Sequence, residues 1–118
     1  MPRCRAAPHP LKKLPLSGKL LQQAAVAEAR RTGWLVAHFT AAHVRPGVVV
    51  TPVKADGKGF PDLFLLRDCA KVIEVKGDGD SLRADQRKWL AAFEAAGIPT
   101  LVLTPKLYRD GILDTFLA

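Results

Sequence analysis

The amino-acid sequence predicts an α/β fold in which a mixed β-sheet is flanked by helices. Two observations lead to this prediction: apolar segments of strand length alternate with helical segments, and two of the strands, residues 63–66 and 72–75, are only a few residues apart. The chain has 118 residues, 48% of them apolar and 25% charged, which is typical of a single globular domain with one core. We therefore expect one domain over residues 17–118.

Residues 1–16 are expected to form a flexible basic arm. They contain four prolines and four Lys or Arg residues, a composition that buries too little apolar surface to offset the entropy of ordering. The arm also lacks the apolar core of a secretion signal, and no apolar run in the chain approaches the ~18 residues of a membrane span. We therefore expect a soluble cytoplasmic protein without a membrane partner.

The net charge of +7 indicates an anionic partner, although a moderate basic excess can also serve solubility alone. The excess lies in residues 1–58, which hold ten Lys or Arg against two acids, whereas residues 59–118 hold eight against nine. Two cysteines are too few for a disulfide framework or a zinc site. We therefore expect a basic recognition surface that is separate from the residues that perform the chemistry.

The predicted domain begins with a helix. Ser17 has the character of an N-cap, the residues after it are rich in Leu and Ala, and Gly33 is a stop signal. Residues 34–40 combine aromatic and β-branched side chains and predict a strand. Residues 41–58 predict a long basic loop or a hairpin, within which residues 48–50 form a candidate strand.

The two apolar segments at the centre of the chain predict a β-hairpin. Residues 63–66 and 72–75 have strand composition and are joined by a tight connection around residues 67–69. Val72 and Ile73 are both apolar and point to opposite faces of their strand. The second strand is therefore expected to be covered on both faces.

The segment after the hairpin predicts a helix over residues 82–96, with Ser81 as its N-cap and Gly97 as its stop. Its apolar residues, among them Trp89 and Phe93, recur at helical spacing and are expected in the core.

The last elements are a strand at residues 100–103 and a closing helix at residues 107–117. Gly111 weakens the prediction of this helix, because glycine is unfavourable in a helix interior.

Acidic and basic residues lie at one end of the predicted hairpin. Glu74 and Lys76 point to the same face because side chains alternate along a strand, and the carbonyl of Val75 lies beside them. Asp62 faces Glu74 if the hairpin connection has an odd number of residues, as in 67–69. Two carboxylates and a carbonyl are ligands that Mg²⁺ or Mn²⁺ accepts, with positions left for water and a phosphate oxygen. The pattern predicts a divalent-metal site for phosphodiester hydrolysis.

Each of these residues alone has an ordinary structural explanation. Asp62 could be a turn residue, and Glu74 with Lys76 could be an exposed edge pair. In a strand covered on both faces, however, an unpaired Glu and Lys would be costly, which favours a shared site. Lys76 would orient or deprotonate the attacking water or stabilise the phosphorane, and the sequence leaves these roles open.

Several basic residues are candidates for contact with DNA phosphates, although ordinary solvated surface charge would also explain them. They are Lys19, Arg30, Arg31, Arg45, Lys54, Lys58, Arg83 and Arg87.

Three short motifs resemble the VRR-NUC branch of the PD-(D/E)XK nucleases over roughly residues 20–104. They are Gly59-Phe60-Pro61-Asp62, then Ile73-Glu74-Val75-Lys76, and then Gln86 followed by Trp89 and Leu90. The resemblance implies a restriction-endonuclease-like core and cleavage of DNA that depends on Mg²⁺ or Mn²⁺. Stand-alone members are bacterial or viral and tend to be homodimers acting on branched DNA, including four-way junctions, so we expect a homodimer that cuts junctions or flaps.

The resemblance also implies roles for individual residues. Asp62, Glu74 and the Val75 carbonyl would be the metal ligands, Lys76 would be catalytic, and Gln86 would reach the active site from its helix.

The first helix departs from the family pattern. Members usually carry a Glu a few residues before a Gln on this helix; Gln22 matches that Gln, and Leu20 stands at the Glu position. Glu28 is the one acid of this helix and lies ~12 Å further along its axis, too far to replace the missing Glu. Whether the site holds one metal ion or two is therefore left open.

The sequence thus predicts a metal-dependent, structure-selective DNA endonuclease. The first alternative is a non-catalytic DNA-binding module or nuclease subunit that retains the fold without the first-helix acid. The second is a basic RNA-associated protein, which would leave Asp62, Glu74 and Lys76 unexplained.

Overall fold

The structure, a computed structural model, describes residues 17–39, 42–46, 48–50 and 54–118. The arm expected at residues 1–16 lies outside the described residues. The elements in chain order are α1 Gly18–Arg31, β1 Leu35–His38, β2 Ala42–Arg45, β3 Val48–Val50, β4 Leu63–Leu66, β5 Ala70–Val75, α2 Ala84–Ala95, β6 Thr100–Leu103, α3 Pro105–Arg109 and α4 Ile112–Leu117.

The main sheet has four strands in the order β1-β4-β5-β6. The β1–β4 and β4–β5 pairs are antiparallel, whereas β5 and β6 run parallel, as expected for strands joined by a helical crossover through α2. This confirms the prediction of a mixed sheet flanked by helices. Strands β2 and β3 form a separate antiparallel pair, so the hairpin alternative for residues 41–58 is confirmed where the structure describes that segment.

Helix α1 begins and ends where the sequence predicts. The Ser17 hydroxyl accepts a hydrogen bond from the Leu20 N–H at 3.2 Å, and Gly33 follows the helix with a φ of +91°. Its buried face consists of Leu21, Ala24, Ala25 and Ala29. Small alanines on this face let the helix approach the sheet closely.

The register of the central hairpin matches the register predicted from side-chain alternation. Leu63 pairs with Ile73 and Leu66 with Ala70, which leaves three residues, 67–69, in the connection. One face of the hairpin, which includes Leu63, Leu65 and Ile73, lies in the main core with α1, α3 and α4. The other face carries Glu74 toward α2.

Two helix boundaries differ from the predictions. Helix α2 begins at Ala84 with Arg83 as its N-cap, because the Gln86 side chain, rather than Ser81, accepts the hydrogen bond of the Arg83 N–H. The predicted closing helix is divided into α3 and α4. Gly111 has a φ of +79° between them, which interrupts a right-handed helix.

None of the helices within the described ranges combines the length and the apolar content that a membrane span requires.

The assignment of the two hairpin faces predicts that substitutions of two neighbouring leucines will lower the stability of the fold by different amounts. Leu65 is fully buried, whereas Leu66 is 46% exposed. We expect Leu65→Ala to lower the free energy of unfolding by about 2–5 kcal/mol because it leaves a cavity. Leu66→Ala, the matched control, should cost about 1 kcal/mol or less. Urea unfolding measures both, and equal losses would contradict the assigned faces.

Candidate active site

The structure brings the predicted site residues together at the end of β5. Glu74 is on β5 and Lys76 follows it, Asp62 directly precedes β4, and Gln86 is in the first turn of α2. The Lys76 Nζ lies 4.0 Å from Glu74 Oε1, and the Gln86 Nε2 donates a hydrogen bond to the same oxygen at 3.2 Å. Two strands and one helix therefore contribute to a single cluster.

Asp62 is joined to β5 through the backbone. Its Oδ2 accepts a hydrogen bond from the Val75 N–H at 2.8 Å, and its own carbonyl accepts one from the Phe39 N–H at 2.9 Å. In an extended strand the N–H and C=O of one residue point toward the same neighbour. The Val75 carbonyl is therefore directed to the side of β5 on which Asp62 lies.

Glu74 is the most deeply buried charged group of the site. The residue is 2% exposed, and its Oε2 is buried and has no hydrogen-bond partner among the described residues. Burial raises the pKa of Glu74 to about 8, and the negative charge of Asp62 acts in the same direction. Lys76 and Arg83 oppose this shift. A hydrogen bond from protonated Glu74 to the Asp62 carboxylate also raises this pKa, and the two carboxylates repel each other once Glu74 is ionised.

Gln86 is held at both ends of its amide. Its Oε1 accepts from the Arg83 N–H at 2.9 Å while its Nε2 donates to Glu74. These two partners fix the orientation of the amide. If the amide were reversed, its NH₂ group would face the Arg83 N–H and its oxygen would face the Glu74 oxygen. Gln86 therefore fixes one oxygen of Glu74 and leaves the other directed elsewhere.

The donor atoms fit a hard divalent cation. Asp62 and Glu74 supply carboxylate oxygens, Val75 supplies a carbonyl, and the partnerless Oε2 of Glu74 is the kind of buried acceptor that a cation satisfies. No cluster of three or more Asp, Glu, His or Cys side chains occurs in the part of the chain that the structure describes. The candidate ligand set is therefore two carboxylates and a carbonyl.

The first helix supplies no acid to this site. Its N-terminus approaches the site end of β5, since a Cβ placed on Gly77 would lie 3.6 Å from the Gly18 nitrogen. Leu20 lies in this first turn and is exposed. Glu28, further along the helix, pairs with Arg31 at 2.7 Å.

The predicted DNA-contacting residues lie in several different places. Arg83 is close enough to Glu74 for its positive charge to oppose the rise in the Glu74 pKa. Lys58 is close enough to Asp85, on α2, for its charge to lower the Asp85 pKa. Arg87 is exposed one turn further along α2, and Lys19 and Lys54 are exposed as well. Arg30 and Arg31 are at the far end of α1, and nothing is described for the side chain of Arg45.

Trp89 has a role that sequence reasoning missed. Its ring is only partly buried, and its indole N–H donates to the carbonyls of Asp56 and Lys58 at 2.9 and 3.1 Å. It therefore ties α2 to the segment that leads to Asp62. A Trp on an apolar stripe gave no local signal of a partner 31 residues away.

The raised pKa of Glu74 predicts how the stability of the metal-free chain depends on pH. Between the ordinary value of 4.5 and about 8, the unfolded chain loses the Glu74 proton and the folded chain retains it. The free energy of unfolding therefore falls as pH rises through this window. We expect Glu74→Gln to remove this loss, so the stability of the variant relative to the parent is greater at pH 8 than at pH 5.

Thermal or urea unfolding with a chelator measures this difference, with Glu94→Gln as the control. The Thr100 hydroxyl and N–H donate to Glu94 and lower the pKa of its carboxyl, so the folded chain does not retain the Glu94 proton in this window. Its effect should be the same at both pH values. A Glu74→Gln effect that is equally independent of pH would contradict the prediction.

Comparisons with known proteins identify the family of the chain. The family model of the VRR-NUC domain matches residues 17–106. The Caenorhabditis elegans Fanconi-associated nuclease 1 homolog is 54% identical over 43 residues, which are 34% of this chain and 5% of that protein, so this chain corresponds to a small part of that relative. No solved structure gives a significant match. Because the match to the family model covers most of the chain, this chain belongs to the VRR-NUC family and has the restriction-endonuclease-like fold of its nuclease domain.

Proposed function

We propose that the protein is a metal-dependent, structure-selective DNA endonuclease that hydrolyses phosphodiester bonds. One observation carries the proposal: Glu74 is a buried carboxylate with a partnerless oxygen, and it lies beside a second carboxylate and a lysine. Ionisation of Glu74 is unfavourable in the metal-free chain, because burial and the neighbouring Asp62 charge both oppose it. A divalent cation would reverse that penalty.

Each residue of the cluster has a distinct proposed task. Asp62, Glu74 and the Val75 carbonyl would hold Mg²⁺ or Mn²⁺. When bound, such a cation lowers the pKa of water and offsets charge on the phosphate. Gln86 orients Glu74 through the hydrogen bond to Oε1. The Lys76 ammonium group lies 4.0 Å from Glu74 Oε1, where it would orient or deprotonate the attacking water or stabilise the phosphorane.

The DNA would approach across the N-terminal end of α2. Arg83 and Arg87 are exposed on this helix, and Lys58 is exposed on the segment packed against it. Cations beside the scissile phosphate would attract the DNA backbone and position it without reading sequence. Lys19, Arg30, Arg31, Arg45 and Lys54 remain further candidates for phosphate contact.

The preference for branched DNA rests on relatedness alone. The family resemblance implies activity on four-way junctions or flaps, and the similar nematode protein is a Fanconi-associated nuclease 1 homolog. We extend this preference to the present chain as part of the proposal.

A second candidate function is a DNA-binding module without catalytic activity. It is favoured by Leu20, which lies in the first turn of α1 where the family pattern has an acid. A site that needs two metal ions would lack a ligand there. The cleavage experiment below separates the two functions.

We expect the purified chain to cleave DNA with Mg²⁺ or Mn²⁺ and to be inactive with a chelator. The substrates are duplex, flap, splayed-arm and four-way-junction DNA, and branched forms should be cut faster than duplex. Lys76→Ala should lower the rate by about 10²–10⁴-fold because it removes a charge at the reacting phosphate. Asp62→Asn should lower it by at least about 100-fold because it removes a ligand.

Two exposed residues provide matched controls for these variants. Asp68 is in the β4–β5 connection at the opposite end of β4 from Asp62, and Lys106 is on α3. Asp68→Asn and Lys106→Ala should cleave like the parent. Intact substrates with every metal would refute the enzymatic proposal, and full activity of Asp62→Asn and Lys76→Ala would refute the site.

We also propose that the protein is a homodimer. The outer edge of β1 pairs with no strand among the described residues, and Leu35 on β1 is 73% exposed. An unpaired edge with apolar side chains is a suitable surface for self-association.

Sedimentation equilibrium should give twice the 12.8 kDa chain mass for the parent. We expect Leu35→Glu to give a monomer, because a charge at a paired apolar surface is unfavourable, whereas Ile112→Glu on α4 should remain dimeric. A monomeric parent would contradict the proposal.

A further inference from the structure

Gly59 lies very close to the backbone of α2. A Cβ at this position would lie 2.5 Å from the Asp85 carbonyl carbon, 2.6 Å from its oxygen and 2.8 Å from the Gln86 nitrogen. All three atoms belong to the backbone of α2, so no side chain can rotate away to make room. The segment before Asp62 therefore packs against the start of α2 at a spacing that only glycine permits.

Trp89 supplies a second tie between the same two segments. Its indole N–H donates to the carbonyls of Asp56 and Lys58, one helical turn beyond the Gly59 contact. Phe60 also packs edge-on against the Trp89 ring, with 5.1 Å between the ring centroids. We call these contacts between residues 54–60 and α2 the loop–helix clamp.

The clamp joins the two segments that supply opposite sides of the active site. Asp62 follows Gly59 by three residues, and Gln86, whose backbone touches Gly59, donates its side-chain amide to Glu74. An added methyl group would force α2 and the segment that carries Gly59 apart. Widening the 2.5 Å approach to an ordinary contact of 3.4 Å requires a displacement of about 0.9 Å. That displacement is enough to break the 3.2 Å hydrogen bond to Glu74.

We propose that the loop–helix clamp sets the position of Gln86, and that Gly59 and Trp89 are positioning residues for the Glu74 carboxylate. This inference rests on the proposed nuclease function, through which the position of Gln86 would matter for catalysis. Gly59 and Trp89 act by fixing the distance between α2 and β5.

The chain offers a control that separates this close approach from backbone strain. Gly97 has a φ of +81°, similar to the +87° of Gly59, but a Cβ there would meet no atom within 4 Å. Gly97→Ala therefore introduces the same left-handed strain without the clash, at the opposite end of α2. Any effect of Gly59→Ala beyond that of Gly97→Ala is due to the contact with Asp85 and Gln86.

The first test does not depend on activity. In ¹⁵N-labelled, metal-free protein, the side-chain amide signals of Gln86 are identified by their loss in Gln86→Ala. We expect these signals to shift toward the values of exposed amides in Gly59→Ala and to stay in place in Gly97→Ala. Unchanged Gln86 signals in folded Gly59→Ala would overturn the inference.

The second test is a double-mutant cycle on the cleavage rate per folded molecule. Gly59→Ala should lower kcat on the order of 100-fold, since displacements near 1 Å at a reacting site have such effects. In the Gln86→Ala background the same change should cost less than about threefold, because the group that it displaces is already absent. Fully additive losses, or a loss no larger than that of Gly97→Ala, would overturn the inference.

Trp89→Phe keeps the test decisive if Gly59→Ala does not fold. It retains an aromatic ring and removes the indole N–H. The Gln86 amide signals and kcat should therefore change in the same direction as in Gly59→Ala, but by a smaller amount. If neither changes, the clamp does not position Gln86. A parent that cleaves no DNA would refute the proposed function, and the amide signals would still decide on the clamp.

Discussion

Burial of the Glu74 carboxylate at the end of a central strand is the constraint on which the site depends. A carboxylate with a partnerless oxygen, close to a second carboxylate, destabilises the folded chain unless it keeps a proton or meets a cation. The raised pKa expresses that cost. The core opposite, where leucines and alanines pack α1 against the sheet, supplies the stability that permits this cost.

The geometry around Glu74 is specified from three directions. Asp62 is fixed by its hydrogen bond to the Val75 N–H, Gln86 by the clamp on α2, and Lys76 by the strand that it follows. Each of these depends on backbone contacts rather than on flexible surface side chains. A site held in this way is preorganised, which is the condition for electrostatic contributions to catalysis.

Local sequence rules were sufficient for the strands of the main sheet and for the register of the central hairpin. Alternation placed Glu74 and Lys76 on one face, and the three-residue connection at 67–69 brought Asp62 to the same end of the hairpin. The start of α2 was not predictable, because its N-cap hydrogen bond comes from Gln86, which is also bound to Glu74. The Gly59 contact was not predictable either, because it joins segments 26 residues apart through packing that no local sequence pattern encodes.

Asp62, Glu74 and the Val75 carbonyl are the proposed ligands of one divalent cation. Anomalous diffraction from crystals grown with Mn²⁺ tests this assignment most directly. We expect an anomalous difference peak about 2.1 Å from an oxygen of each of these three residues. A peak bound elsewhere, or no peak at these oxygens at saturating Mn²⁺, would contradict the assignment.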